Sequence, residues 1–301
     1  MKNAFWQSLR DTIKGLHYWI GDTFKTKAAL RRHLQEVSWE PVGEVHVDSL
    51  FYSDGMQPER FASLPIFGKD SPEDAQLWQG LRQQLRNLIL WQQEEHVREI
   101  PLLELSGLYT SKSRGPWKTL AEFGRSAACQ GIPCSNDADF QRNMTHSFPQ
   151  RDQPFRIRKV WWNGQMYWMN TDGSHHAAVA FVQALEQGRQ VSIPCLVTHV
   201  SVTPVHAQEI IQHFFALVVT NRTAGLLWDV LCQFEVPFQF ADYTPAGNHL
   251  TLLVLPRSSR KARLIAETIL QQTLAGKAFD FTQFLRDSIS TGSYRCRDPD
   301  W

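Results

Sequence analysis

The chain has 301 residues, 43% of them hydrophobic and 20% charged, with a formal net charge of +1. That is an ordinary composition for a folded globular protein of one or two domains, and the near-zero charge excludes a global pull toward nucleic acid or acidic lipid. Five scattered cysteines (Cys129, Cys134, Cys195, Cys232 and Cys296), no apparent signal peptide and no apolar run near the ~20 residues of a membrane span point to a reducing, cytoplasmic setting.

In chain order, Phe5, Leu9, Ile13, Leu16 and Ile20 recur at helical spacing and predict a helical segment from about Asn3 to Val37. Trp39 to Lys69 reads as irregular, with a strand at Glu44 to Phe51. Ser71-Pro72-Glu73-Asp74 carries the cap, the first-position proline and the first-turn acids of a helix start, and that helix is expected to run to about Glu95. Glu99 to Leu108 reads as a strand. Tyr109 to Pro149 is rich in Ser, Gly, Asn and Asp; it reads as a long loop with a short helix near Trp117 to Ala128.

Phe155 to Asn170 carries the strongest local signal. Two aromatic and β-branched runs flank Asn163-Gly164, which predicts a two-residue hairpin turn pairing Val160 with Tyr167 and Arg158 with Met169. Thr171-Asp172-Gly173-Ser174-His175-His176 follows. The next run, Ala177 to Leu185, is apolar nearly all round and predicts a buried helix that Gly188 stops. Val191 to Val202 reads as a strand. Beyond it come a helix from about Pro204 to Phe214, a strand at Ala216 to Val219, a helix over Ala224 to Gln233, strands at Val236 to Phe240 and Leu250 to Leu255, and a helix over Ser258 to Leu274. The alternation indicates an α/β or α+β protein with a mainly helical region over 1–97, a central domain over 98–203 and a C-terminal α/β region over 204–301.

The turn at Asp172 to His176 is the candidate site. A helix start offers unpartnered backbone N–H groups and the positive end of the helix dipole. Gly173 permits close approach or an unusual φ, and Ser174 or Asp172 can cap the helix. His175 and His176 add donors, while Arg156, Arg158 and Lys159 on the preceding strand add charge. The sum reads as a phosphate cradle. Ordinary turn and capping chemistry accounts for the same residues equally well.

Hairpin, Asp-Gly-x-His-His, Ala-rich helix and a strand opening Ile193-Pro194-Cys195-Leu196-Val197 together resemble the ParB/sulfiredoxin-like superfamily. Gly173, His175, His176 and Ala180 stand at its Gly-x-His-Arg-x-x-Ala motif, and Glu99 to Leu105 resembles its first strand. His176 occupies the position of the usual Arg, and counted strictly the Ala position is Val179. The resemblance implies nucleotide or phosphate binding at the turn, with Mg²⁺ as a companion ion, and NTP hydrolysis, phosphotransfer or nuclease activity. It implies backbone contacts from Gly173 and Ser174, side-chain roles for His175 and His176, an orienting or cation-holding Asp172, and Glu104 as a candidate general base.

A different reading makes the chain a non-catalytic nucleic-acid- or protein-binding module of phage or mobile-element type. Arg257, Arg260, Lys261 and Arg263, a basic cluster at a helix start, would then carry it together with the exposed aromatics of the hairpin; a solvated charged face accounts for the same cluster slightly better. Asp172, His175, His176, His199, His206 and His213 lie near one another in sequence. No His-x-x-x-His or Cys-x-x-Cys spacing occurs, so no metal site is expected.

Overall fold

The computed structural model describes residues 27–42, 66–69, 75–113, 115, 117–149, 153–243 and 250–290. The expected aromatic helix before residue 27, the strand at Glu44 to Phe51 and the helix start at Ser71 to Asp74 lie outside the described residues. The strands form two sheets with helices packed on them, an α+β architecture.

The elements are α1 (27–36), β1 (Ile66–Lys69), α2 (Ala75–Arg86), β2 (Ile89–Gln93), β3 (Arg98–Pro101), β4 (Gly107–Leu108), α3 (Leu120–Arg125) and α4 (Asp137–Ser147). Then follow β5 (Phe155–Val160), β6 (Met166–Trp168), α5 (Ser174–Gln187), β7 (Ser192–Val202), α6 (Pro204–His213), β8 (Phe214–Thr220) and α7 (Asn221–Gln233). The chain continues through β9 (Phe238–Tyr243), β10 (Leu250–Pro256), α8 (Arg260–Thr273), β11 (Phe279–Asp280) and α9 (Phe281–Ser290).

The first sheet has the order β2-β7-β5-β6-β4, with β3 also on β7. The long strand β7 organises it: it runs parallel to β5 and antiparallel to β2 and β3. Helix α5 covers one face. Ala177, Ala178 and Ala180 are small enough to let α3 and α4 pack close, over Ile157, Ile193, Cys195 and Val197 from the sheet.

The second sheet, β1-β9-β10-β8-β11, is antiparallel throughout. Its central strands are apolar at nearly every position because both faces are covered. Along β8, Phe215, Leu217 and Val219 face a core shared with α1, α7 and α8. Phe214, Ala216 and Val218 face α2, α6 and α9. This second core also holds Leu88 and Val202, so it joins the two sheets. The described residues of segment 1–97 are divided between the sheets: α1 packs on the second, while β2 is an edge of the first.

Several expected elements differ. Helix α2 ends at Arg86 rather than near Glu95, because the next residues leave the helix to pair with β7, matching Ile89 to Val202 through Gln93 to Thr198. That pairing leaves Leu90 48% exposed. Glu99 to Leu108 is two short strands separated by a 3₁₀ turn at Leu102–Glu104, not one strand. The β5–β6 hairpin pairs Arg158 with Tyr167 and Lys159 with Met166. Its closing bond runs from the Val160 N–H to the Gln165 carbonyl, so four residues form the loop instead of two. A type I′ turn needs positive φ at both central residues; Gly164 has it (69°) and Asn163 does not. Helix α4 falls within a stretch expected to be loop. Asn136 caps it by accepting from the Asp139 N–H, and Asp137 and Asp139 oppose the dipole's positive end.

Candidate functional site

The turn opens with Asn170, whose side chain is buried. Its Oδ1 accepts from the N–H groups of Tyr109 and Thr110, and its Nδ2 donates to the Thr110 carbonyl. One amide therefore ties the segment after β4 to the segment after β6. Asp172 is exposed and accepts from the Gly173 N–H at 2.9 Å. That bond, followed by the nearby Lys112 ammonium, holds its carboxyl below the ordinary range.

Gly173 begins α5 with φ 74° and ψ 9°, and no side chain caps the helix. The expected cap from Ser174 or Asp172 is absent because both side chains are engaged elsewhere. The Asp172 carboxylate meets its neighbour's N–H, and the Ser174 hydroxyl meets Ser111 at 3.0 Å. Gly173 is buried against the end of α4: Ser147 Oγ donates to its carbonyl, and a Cβ here would lie 3.0 Å from Ser147 Cα.

The two histidines diverge. His175 Nε2 stands 2.8 Å from Ser113 Oγ, and its ring packs on Phe123 with centroids 5.2 Å apart. Burial, then Lys112, pushes its pKa down. His176 turns to α4, where its Nδ1 lies 2.8 Å from Asn143 Oδ1. Asn143 Nδ2 donates to the Pro133 carbonyl and to Gln183 Oε1, which fixes the amide's orientation. The His176 Nδ1 must therefore carry the proton, leaving Nε2 with its lone pair. The His146 ring, from the last turn of α4, lies 3.9 Å from the His176 ring centroid to centroid. Burial and this second imidazole lower the His176 pKa.

Beside the turn runs an open groove of about 1180 Å³. Trp91, Tyr109, His146, Arg156, Arg158 and Asp172 are among its walls. Arg156 and Arg158 project from β5 on the face opposite Ile157, and the Arg158 guanidinium lies 4.8 Å over the Trp91 ring. The structure thus brings Asp172, Arg156 and Arg158 onto one groove. His175 and His176 sit half-buried behind its edge, while Gly173 and Ser174 are buried.

Glu104 stands apart. It is exposed in the 3₁₀ turn, where neighbouring Leu102 donates to the Val191 carbonyl just past the C-terminal end of α5. That is the far end of a 14-residue helix, roughly 20 Å from the turn. Arg257 donates to the Ile211 and Phe214 carbonyls and covers the Phe215 ring, and Lys261 donates to the Phe234 carbonyl. These carbonyls lie at the C-terminal ends of α6 and α7, where a cation is favourable. Arg263 donates to the Arg257 carbonyl, and Arg260 is exposed. Among the described residues no group of three or more His, Cys, Asp or Glu is arranged to hold a metal, and no helix is long and apolar enough to cross a membrane.

Sequence reasoning missed His146, Asn143, Asn170, Lys112 and Ser113 as parts of this site. Asn136-Asp137-Ala138-Asp139 was a readable helix start that would have placed Asn143 and His146 one turn apart on one face. Nothing local links Ser113 to His175.

Compared with known protein families, residues 95–292 match the model of a family of unknown function (DUF6685). No curated protein and no solved structure matches.

Proposed function

The chain belongs to that family of unknown function, and we propose that it binds a phosphate-bearing ligand, a nucleotide, in the groove beside the Asp172–His176 turn. The observation that carries this reading is the composition of the groove. Arg156 and Arg158 supply permanent positive charge next to Asp172 and His146, while Trp91 and Tyr109 supply aromatic surface for a base. The groove's volume slightly exceeds the range of about 300–1,000 Å³ common for small-ligand sites, so a nucleotide fits with room to spare.

In this reading Arg156 and Arg158 hold phosphate oxygens, and the N-terminal end of α5 adds its dipole. Gly173 and Ser174 shape the turn from within instead of touching the ligand. Asp172 fits Mg²⁺, which binds through one or two carboxylates together with ligand phosphates. Burial keeps His175 and His176 neutral near pH 7, the state in which an imidazole can take a proton during hydrolysis or phosphotransfer. The hairpin, the left-handed glycine, the buried helix α5 and the return strand β7 support a ParB/sulfiredoxin-like module as the frame.

A thermal-shift panel of nucleoside triphosphates, with and without Mg²⁺, tests the reading. A ligand at 100 times its Kd stabilises by about 2.7 kcal/mol, an upward shift of roughly 5–10 °C for a chain of this size. Arg156→Gln with Arg158→Gln should remove the shift. Unshifted melting in every nucleotide would count against the proposal.

A further inference from the structure

At the other end of the β5–β6 hairpin lies a second cavity, of about 310 Å³. Trp162 from the hairpin loop forms one side, and Phe279, Asp280, Gln283, Phe284 and Asp287 form the other. The Trp162 and Phe284 rings are 6.1 Å apart at 72°, and the Phe279 and Phe284 rings 6.2 Å apart at 50°. Rings set edge to face leave a corner in which a guest meets the faces of both. At these spacings one group can lie within about 6 Å of two or three ring centroids, the range of cation–π attraction.

The charged residues of the lining are both acids. Asp280 Oδ1 accepts from the Gln283 N–H at the start of α9, and Asp287 Oδ1 accepts from Gln283 Nε2. Arg286 on the same helix donates to Gln283 Oε1, and Arg257 lies within electrostatic reach of Asp280, but neither lines the cavity. Among the described residues no group of three or more His, Cys, Asp or Glu is arranged to hold a metal ion, and a neutral apolar guest would meet the rings but gain nothing from the carboxylates. An alkylated ammonium satisfies both parts of the wall: its methyl groups pack on the rings and its charge faces the carboxylates.

We propose that this cavity binds an organic cation of the alkylated ammonium class. The site is separate from the nucleotide groove and independent of that reading. It bridges the hairpin of the first sheet and helix α9, which packs on the second.

The test uses the full chain and its indole N–H spectrum, which carries 11 tryptophans, with the Trp162 signal assigned through Trp162→Phe. Choline chloride is titrated against sodium chloride of equal ionic strength, beside 3,3-dimethylbutan-1-ol, its uncharged carbon isostere. The expected result is a saturable shift of the Trp162 signal with choline and binding of the isostere about tenfold weaker or less. Asp280→Asn with Asp287→Asn keeps the oxygens that Gln283 uses, so α9 stays capped, and should weaken choline about tenfold without affecting the isostere. A peptide carrying trimethyllysine separates the sources: tighter binding than choline assigns a modified side chain, weaker binding a free amine, and either supports the cation site. No saturable shift by about 50 mM choline, equal binding of the isostere, or indifference to the double substitution would each overturn the proposal.

Discussion

Gly173→Ala separates two costs at the turn, because Gly188 provides the control. Both glycines bound α5, and both have positive φ, 74° and 61°. An Ala at Gly188 meets nothing within 4 Å, so its only cost is the left-handed backbone, about 1 kcal/mol. An Ala at Gly173 bears the same cost and also places its Cβ 3.0 Å from Ser147 Cα. That neighbour is backbone at the end of α4 and cannot rotate away. Overpacking of this kind adds about 1–3 kcal/mol, for a total of about 2–4 kcal/mol. Urea midpoints at equal m-value measure the difference. At roughly 2–4 °C per kcal/mol, Gly188→Ala should lower Tm by about 2–4 °C and Gly173→Ala by about 4–16 °C. Equal losses from the two substitutions would refute the close approach of α4 to the turn.

Asn170→Ala should cost about 2–3 kcal/mol, since it leaves the Tyr109 and Thr110 N–H groups without their acceptor; faster hydrogen exchange at those two amides checks it. The folded pKa values of His175 and His176 are lowered, so below the ordinary 6.5 the unfolded chain binds protons first. Stability should be full above about pH 6.5 and fall as the pH drops toward the lowered folded values. The urea midpoint between pH 7.5 and about 5.5 reads this, and His175→Gln with His176→Gln should flatten the slope; an unchanged slope would remove these residues as its source. Burial pushes the Cys129 thiol up to about 11 and the Cys195 thiol up to about 12, whereas Cys134 is exposed. Iodoacetamide should label Cys134 in the native protein and reach Cys129 and Cys195 only on unfolding.

Local chemistry made much of this fold legible. The apolar, Ala-rich run after His176 and the glycine at its end give α5 with its ends in place, because a helix buried on most sides needs small residues and a left-handed stop. The apolar stretches of the second sheet read as strands because both of its faces are covered. What failed depended on distant partners. The run from Leu88 to Gln93 has helical neighbours upstream, yet β7 draws it into an edge strand. Asn163-Gly164 suits a tight turn, but the observed register pairs Lys159 with Met166 and so lengthens the loop. At the site, the turn itself was visible, while its surroundings were not. His146 and Asn143 arrive on a helix whose cap was overlooked, and Ser111 and Ser113 arrive by a loop with no local signature. The cluster at Arg257 read either as a binding face or as a solvated one, because sequence cannot show which carbonyls a cation will meet.

The groove's ligand is tested most directly by following the histidine ring protons of the full chain during titration with nucleoside triphosphates and Mg²⁺. Eleven histidines report, and three of them surround the turn. Saturable shifts confined to His146, His175 and His176, with His33, His206 and His213 unmoved, and their loss in Arg156→Gln with Arg158→Gln, are the expected result. Unmoved signals at about 10 mM nucleotide, or shifts centred on another set of histidines, would contradict nucleotide binding at this groove.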